Sequence, residues 1–289
     1  MCSADTLGSV SVPPSAAHGP APPPVPPSAA HGPAPPPVPP SAAHGPASAP
    51  GPKDAFLAAA SLEGIPSAFA ATRDGIDSLL RDRGLRRTTP DDTARSLLLG
   101  AAATSSLEGS DADVELLAGG GGDATARAAV RLSTELLGLV PVWRRTPLQA
   151  IARVHALAAA GSVPDDDLGR PGNPTGVARL GDLSRAVGAP TEAPALVVAA
   201  LTHAEIATCG AFASHAGVVA RAIERLVLVE RGVDPASVTV PEAGHAAEPD
   251  GYRSALSAYA RGDAAGVSQW LMYASQAFTR GAEASPLVR

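Results

Sequence analysis

One stretch of small residues combines side chains that could do chemistry with the start of a predicted helix. It reads GAFASHAGVVAR over residues 210–221 and contains Ser214, His215 and Arg221. The residues after it, AIERLVLVERG, have the apolar periodicity of an amphipathic helix. Backbone N–H groups at a helix start bind anions such as phosphate. The polar side chains of this stretch therefore lie next to a helix start, near residue 217, that could hold an anion.

A candidate site for nucleotide chemistry is the glycine run GGGGDATA at 119–126, which matches the pattern G-x-G-x-x-A. A true dinucleotide fingerprint follows a strand and opens the helix of a βαβ unit. The preceding residues, DADVELLA, make a poor strand, and no βαβ alternation follows. We expect a turn before a helix, and a dinucleotide-dependent oxidoreductase stays as an alternative.

The remaining reactive side chains do not form a recognisable motif. His203 and Glu205 are two residues apart and do not share a helix face, and His215 and His245 stand elsewhere in the chain. No H-E-x-x-H or C-x-x-C pattern occurs. We therefore predict no metal site. Cys209 lacks a base partner and is predicted to be a small core residue.

Composition excludes several partners. The net charge is −6 and no basic stripe is present, which argues against binding to nucleic acid or to an anionic membrane. The best apolar run, residues 193–213, is interrupted by His203 and Glu205 and predicts a buried helix rather than a membrane span. With two cysteines and no signal-peptide pattern, the expected location is the cytoplasm.

The chain divides into an arm at 1–52 and a domain at 53–289. The arm repeats PPSAAHGPA three times and is predicted to be disordered, because its Pro, Ala and Gly residues bury too little apolar surface to fold. It could dock a protein partner. The domain is predicted to be mostly α, with helices at 67–84, 90–108, 123–138, 146–161, 175–188, 192–209, 216–231, 251–261 and 264–283.

Two of these helices are expected to pack as an antiparallel pair, 190–209 against 216–231. The first presents an apolar face, and the second presents Ile223, Leu226 and Val227 to it. The residues of the first face are Leu196, Val197, Ala200, Leu201 and Ala204. The polar residues of the second helix are expected at its surface; they are Arg221, Glu224, Arg225 and Glu230.

The end of the helix at 90–108 is unusual. Thr89 and Pro90 suit its start, and Gly109 suits a left-handed residue that terminates it. Glu108, however, places a carboxylate at the end where the helix dipole disfavours negative charge. We therefore expect a cation close to Glu108.

Three stretches together resemble the Fic/Doc family, whose members are all-helical with a small β-hairpin flap and in many cases transfer AMP to a hydroxyl of a target protein. The residues at 210–221 fall on the family loop H-P-F-x-[DE]-G-N-G-R-x-x-R, between helices similar to those that flank it. The resemblance covers about residues 65–285 and suggests an actinobacterial-like branch. It implies that ATP or another nucleotide is the candidate ligand, bound near Phe212, Gly217 and Arg221.

The same resemblance identifies TSSLEG, residues 104–109, with the family's inhibitory motif [ST]-x-x-x-E-[GN]. Thr104, Glu108 and Gly109 fill its fixed positions. In the family, the inhibitory glutamate pairs with the second arginine of the loop, which is Arg221 here. The resemblance therefore predicts a Glu108–Arg221 ion pair.

The loop departs from the family pattern where the chemistry is done. Gly210 replaces the general base, Ser214 the acidic Mg²⁺ ligand, and Val218 the first arginine. Two further loop positions also differ from the family pattern: His215 replaces a glycine, and Ala216 replaces the asparagine. The leading interpretation is a degenerate Fic-like domain that lacks adenylyltransferase activity and acts as a binding or regulatory module. A transferase of altered chemistry, with His215 as a displaced base, is the alternative.

Overall fold

The computed structural model describes residues 54–82 and 88–288, and these residues form one compact helical unit. Its helices are α1 (Ala55–Ala60), α2 (Ile65–Asp82), α3 (Pro90–Leu107), α4 (Val114–Ala118), α5 (Ala124–Leu136), α6 (Val140–Arg145), α7 (Pro147–Ala159), α8 (Pro174–Gly188), α9 (Ala195–Thr208), α10 (Ala216–Glu230), α11 (Pro241–Ala246), α12 (Pro249–Tyr259) and α13 (Ala264–Glu283). The predicted fold class, mostly α, is confirmed.

Two features were expected outside the helices, a β-hairpin flap and an N-terminal arm, and their outcomes differ. The expected β-hairpin flap is not found: the described part of the chain contains an isolated bridge between Ala160 and Val163 and no strand. The intervening residues 161–162 make a tight turn directly after α7, which leaves too little extended chain for a hairpin. The predicted arm at 1–52, with its repeats, lies outside the described residues, so its disorder and its protein partner stay predictions.

Helices α9 and α10 pack against each other at the centre of the unit. The short connection at 209–215 and the side-chain contact between His203 and Glu224 make them antiparallel, as predicted. Every residue of α9 from Leu196 to Ala204 is buried, so this helix is covered all round and not only on its apolar face. Such a helix belongs in a core that is closed on all sides.

The polar residues of α10 are a correction to the sequence analysis. Arg221, Glu224 and Arg225 were expected at the surface, but each is at most 2% exposed. They are buried because α3, α11, α12 and α13 cover this side of the central pair and supply polar partners. Glu230, at the end of α10, is partly exposed and pairs with Arg144.

Both ends of α3 are defined by local hydrogen bonds. At its start, the Thr89 hydroxyl accepts from the Asp92 N–H, and the Asp92 carboxylate accepts from the Thr89 N–H, which is a capping box. At its end, Gly109 has φ +88°, and the Ser110 N–H donates to the Ser105 carbonyl. This Schellman-type end fixes Glu108 as the last residue before the chain turns away.

The glycine run is not a dinucleotide-binding turn. Helix α4 precedes it, where a βαβ unit would have a strand, and Asp123 caps α5 after it. The βαβ unit on which the alternative of a dinucleotide-dependent oxidoreductase rested is not found among the residues that the structure describes. None of the helices in the described part of the chain has both the length and the apolar character needed to cross a bilayer.

Candidate functional site

The loop between α9 and α10 is held closely against the start of α8. The Gly172 N–H donates to the Ala211 carbonyl at 2.9 Å. A Cβ atom at Gly176 would lie 2.5 Å from the Ala211 backbone, so only glycine allows this approach. Gly210 itself has φ +67°, in the left-handed region that favours glycine. The backbone of the loop is therefore fixed by its neighbours.

Phe212 anchors the loop to α7. Its ring is 7% exposed and stacks on His155, with ring centroids 4.1 Å apart and planes inclined by 10°. The Nδ1 atom of His155 accepts a hydrogen bond from the Gly169 N–H at 3.0 Å. Burial lowers the pKa of His155, and the nearby His215 lowers it further. This imidazole is therefore held neutral, as an acceptor.

A cleft of about 420 Å³ opens beside this part of the loop. Its lining includes charged and polar side chains from the segment between α7 and α8, such as Asp167, Arg170 and Asn173. Gly210 and Ser214 form the opposite side. The volume is in the range of small-molecule sites, about 300–1,000 Å³.

At the start of α10, His215 adopts a backbone conformation that is rare for residues other than glycine. Its φ is 61° and its ψ is 9°. Such a conformation costs on the order of 1–3 kcal/mol and persists only where neighbours impose it. The imidazole is held at both nitrogens: Nε2 lies 3.2 Å from the Ser162 hydroxyl and Nδ1 lies 2.7 Å from the Ser214 hydroxyl.

The predicted ion pair between α3 and α10 is confirmed. Arg221 Nη2 donates to Glu108 Oε1 at 2.6 Å, and Arg221 Nη1 donates to the Tyr252 hydroxyl at 3.3 Å. The arginine side chain is 1% exposed and that of Glu108 is 33% exposed. Burial acts to lower the pKa of Arg221, but Tyr252 and Glu108 outweigh it and raise that pKa. The guanidinium thus stays charged with its partners already in place.

Gly217 and Val218 lie beside this ion pair. A Cβ atom at Gly217 would lie 3.1 Å from Arg221 Nη1 and 3.2 Å from Glu108 Oε1, so the glycine leaves room for the ion pair. Val218, Thr104 and Glu108 line a cavity of about 120 Å³ between α3, α5 and α10. That volume is well below the roughly 300 Å³ of the smallest usual ligand pockets. The cavity beside Glu108 is therefore small.

Comparison with solved structures gives this arrangement a context. The fold is similar to that of a Fic family protein from Desulfovibrio desulfuricans G20, with a TM-score of 0.61, 18% sequence identity, and 74% of this chain and 73% of that chain covered. It is also similar to Fic-1 (residues 134–508) from C. elegans, with a TM-score of 0.54, 16% identity, and 74% and 72% covered. The chain has a Fic-like fold. No family model and no curated protein matches the sequence.

The Fic-like fold brings together the two stretches that the sequence analysis singled out. Thr104, Glu108 and Gly109 at the end of α3 lie beside Gly217 and Arg221 at the start of α10. Gly210 and Phe212 lie on the other side of the loop, towards α7 and α8. The predicted site residues therefore form two groups, one around the ion pair and one along the cleft.

Two residues of the site were missed in the sequence. Tyr252 of α12 contacts Arg221 from 31 positions away, and its surroundings carry no motif that marks it. His155 of α7 stacks on Phe212, but no sequence motif distinguishes it from other histidines in helices. The buried pair of Arg225 and Glu242, with contacts of 2.8 and 2.5 Å, was missed because α11 was not predicted.

Proposed function

We propose that this chain is a Fic-like domain that does not transfer AMP and that acts as a binding or regulatory module. The observation that carries the proposal is Gly210. It stands at the position of the family's general base and has no side chain to accept a proton from a target hydroxyl. General acid–base catalysis typically contributes about 10²–10⁴ to a rate. Its loss would leave little of the family's activity.

Two side chains that line the cleft beside Gly210, those of His155 and Ser214, are poor replacements for this base. His155 lines the cleft, but it is 3% exposed and lies flat against Phe212. Ser214, at the position of the acidic Mg²⁺ ligand, offers a hydroxyl that is hydrogen-bonded to His215. Carboxylates are the ligands that hard cations such as Mg²⁺ prefer. These contacts support a loop that keeps its shape without its reactive groups.

The ion pair supports a regulatory role for the same site. Arg221 is the one arginine of the loop, and Glu108 occupies it. A nucleotide phosphate would have to displace the Glu108 carboxylate and enlarge the cavity of about 120 Å³. In this proposal the domain is a nucleotide-binding module that Glu108 keeps closed, and release of α3 opens it.

Titration calorimetry with ATP tests the proposal. We expect weak or undetectable heat with the unaltered chain and a gain of at least about tenfold in affinity, about 1.4 kcal/mol, in Glu108→Ala. Glu230→Ala is the matched control, because Glu230 also ends a helix and pairs with an arginine, Arg144, away from the loop. Equal ATP affinity in the unaltered chain and in Glu108→Ala would contradict the regulatory role.

One observation favours a second candidate, a transferase of altered chemistry. His215 touches both the cleft, through Ser214 and Ser162, and the cavity beside Val218. An imidazole placed there could serve as a displaced base for a different phosphoryl donor. In this case turnover of a nucleotide, measured as product released, must disappear in His215→Ala. Turnover that survives this substitution would exclude His215 as the base.

A further inference from the structure

A polar cluster lies at the centre of the helical unit, beyond the loop. It contains His203 of α9, Glu224 of α10 and His245 of α11, all fully buried. His203 Nδ1 lies 3.1 Å from Glu224 Oε1, and His245 Nε2 lies 2.9 Å from Glu224 Oε2. One donor atom from each of the three residues lies within 4.8 Å of the others. Three separate helices thus direct two imidazoles at one carboxylate.

The inner face of this cluster is incompletely satisfied by hydrogen bonds. His203 Nδ1 and Glu224 Oε1 lie 3.1 Å apart, and neither atom has a hydrogen-bond partner among the described residues. Buried polar atoms without a partner are rare and call for an explanation such as an ion.

In each imidazole, the ring nitrogen that does not contact Glu224 has a tyrosine hydroxyl as its partner. His203 Nε2 lies 2.8 Å from the Tyr252 hydroxyl, and His245 Nδ1 lies 3.2 Å from the Tyr273 hydroxyl. Histidines that bind metals use their second ring nitrogen in this way, as an N–H donor that fixes the ring orientation. With the N–H groups directed at the tyrosine oxygens, both inner nitrogens could coordinate a metal; for His245 this coordination replaces the hydrogen bond that Nε2 makes with Glu224 Oε2.

Charge also favours a cation here. The two arginines of α10 are engaged elsewhere, Arg221 with Glu108 and Arg225 with Glu242. Among the ion pairs of residues 54–82 and 88–288, Glu224 has the two imidazoles as partners and no arginine. A fully buried carboxylate is thus left with two imidazoles as its ion-pair partners, and a buried charge needs compensation.

We propose that His203, Glu224 and His245 form a binding site for a divalent transition metal, of which Zn²⁺ is the first candidate. Imidazole and carboxylate donors suit Zn²⁺, and bonds of about 2.0–2.1 Å place tetrahedral ligands about 3.3 Å apart. The observed nitrogen–oxygen separations of 3.1 and 2.9 Å are within a few tenths of an ångström of this value, and the three donor atoms all lie within 4.8 Å of one another. The two nitrogens and the Glu224 carboxylate supply three protein ligands.

The site is structural rather than catalytic, because full burial leaves no position open to a substrate. The metal joins α9, α10 and α11, and through Tyr252 it touches the network that holds Arg221. It therefore stiffens the helix on which the candidate nucleotide site is built.

Metal content of the full chain tests the proposal. The chain is stripped with a chelator, incubated with one equivalent of Zn²⁺ and desalted, and its zinc is measured by mass spectrometry. We expect about one zinc per chain, and a loss of at least about tenfold in retained zinc for His245→Gln, since removing even an outer-shell partner typically costs 10–100-fold in metal affinity. His155→Gln, which changes a buried histidine outside the cluster, retains zinc like the unaltered chain.

The histidines of the arm, His18, His31 and His44, are present in every variant, so the comparison cancels any binding by them. Equal zinc retention in His245→Gln and the unaltered chain would overturn the proposal. If His245→Gln does not fold, a measurement on the unaltered chain alone tests the proposal. Loaded with Co²⁺, it should show the visible absorption bands of low-coordinate cobalt and melt at a higher temperature than the stripped chain. A colourless chain with an unchanged melting temperature would overturn the proposal.

Discussion

Removal of the Glu108 carboxylate should destabilise the fold, because it leaves Arg221 buried with Tyr252 as its remaining partner. Breaking a fully buried ion pair costs about 3–5 kcal/mol, and an exposed pair contributes about 0–1 kcal/mol. Arg221 is 1% exposed, but Glu108 is 33% exposed, so water can reach the vacated position. We therefore expect Glu108→Ala to lower the free energy of unfolding by an intermediate amount, about 2–3 kcal/mol.

Chemical denaturation followed by circular dichroism measures this change. For a domain of this size each kcal/mol lowers the melting temperature by about 2–4 °C, so the melting temperature should fall by about 4–12 °C. Glu230→Ala breaks a pair whose arginine, Arg144, is 65% exposed, and should change stability by no more than about 1 kcal/mol. If Glu108→Ala matched this control, Arg221 would not depend on Glu108 and the magnitude argued from burial would be refuted.

Three further predictions concern the interior. Glu242→Gln should lower the free energy of unfolding by about 3–5 kcal/mol, because it leaves the 2%-exposed Arg225 without its carboxylate; a loss below about 1 kcal/mol in denaturation would contradict this. Ala200→Glu should cost several kcal/mol, because residue 200 is fully buried, and a change within about 0.5 kcal/mol would place it at the surface. Since burial holds the folded pKa of His155 below its usual 6.5, the unfolded chain binds more protons below that pH, and stability should fall as the pH drops from 6.5. Melting temperatures across this range should fall less steeply in His155→Gln, and equal slopes would contradict the assignment.

Local signals in the sequence were sufficient for most of the fold. The capping residues Thr89 and Pro90 and the terminating Gly109 define α3 as predicted, because caps depend on neighbours in the chain. The pairing of α9 and α10 followed from apolar periodicity and a short connection. The contact between Glu108 and Arg221, more than a hundred residues apart, was predictable only through the resemblance to the family.

The burial of polar residues could not be predicted locally. Glu224 and Arg225 have the spacing of an exposed helix face, and periodicity alone cannot tell such a face from one covered by other helices. Helix α11 supplies a partner to each of them: Glu242 to Arg225 and His245 to Glu224. Helix α11 has six residues, too few for a periodic signal, and so the polar interior that it completes was missed.

Incubation of the purified chain with radiolabelled ATP, Mg²⁺ and cell lysate tests most directly the claim that this Fic-like domain does not transfer AMP. Because Gly210 supplies no base, we expect no labelled protein above background, either with the unaltered chain or with Glu108→Ala, in which Arg221 is released. Robust transfer of labelled AMP by either chain would show that another group accepts the proton, and would contradict the proposed function.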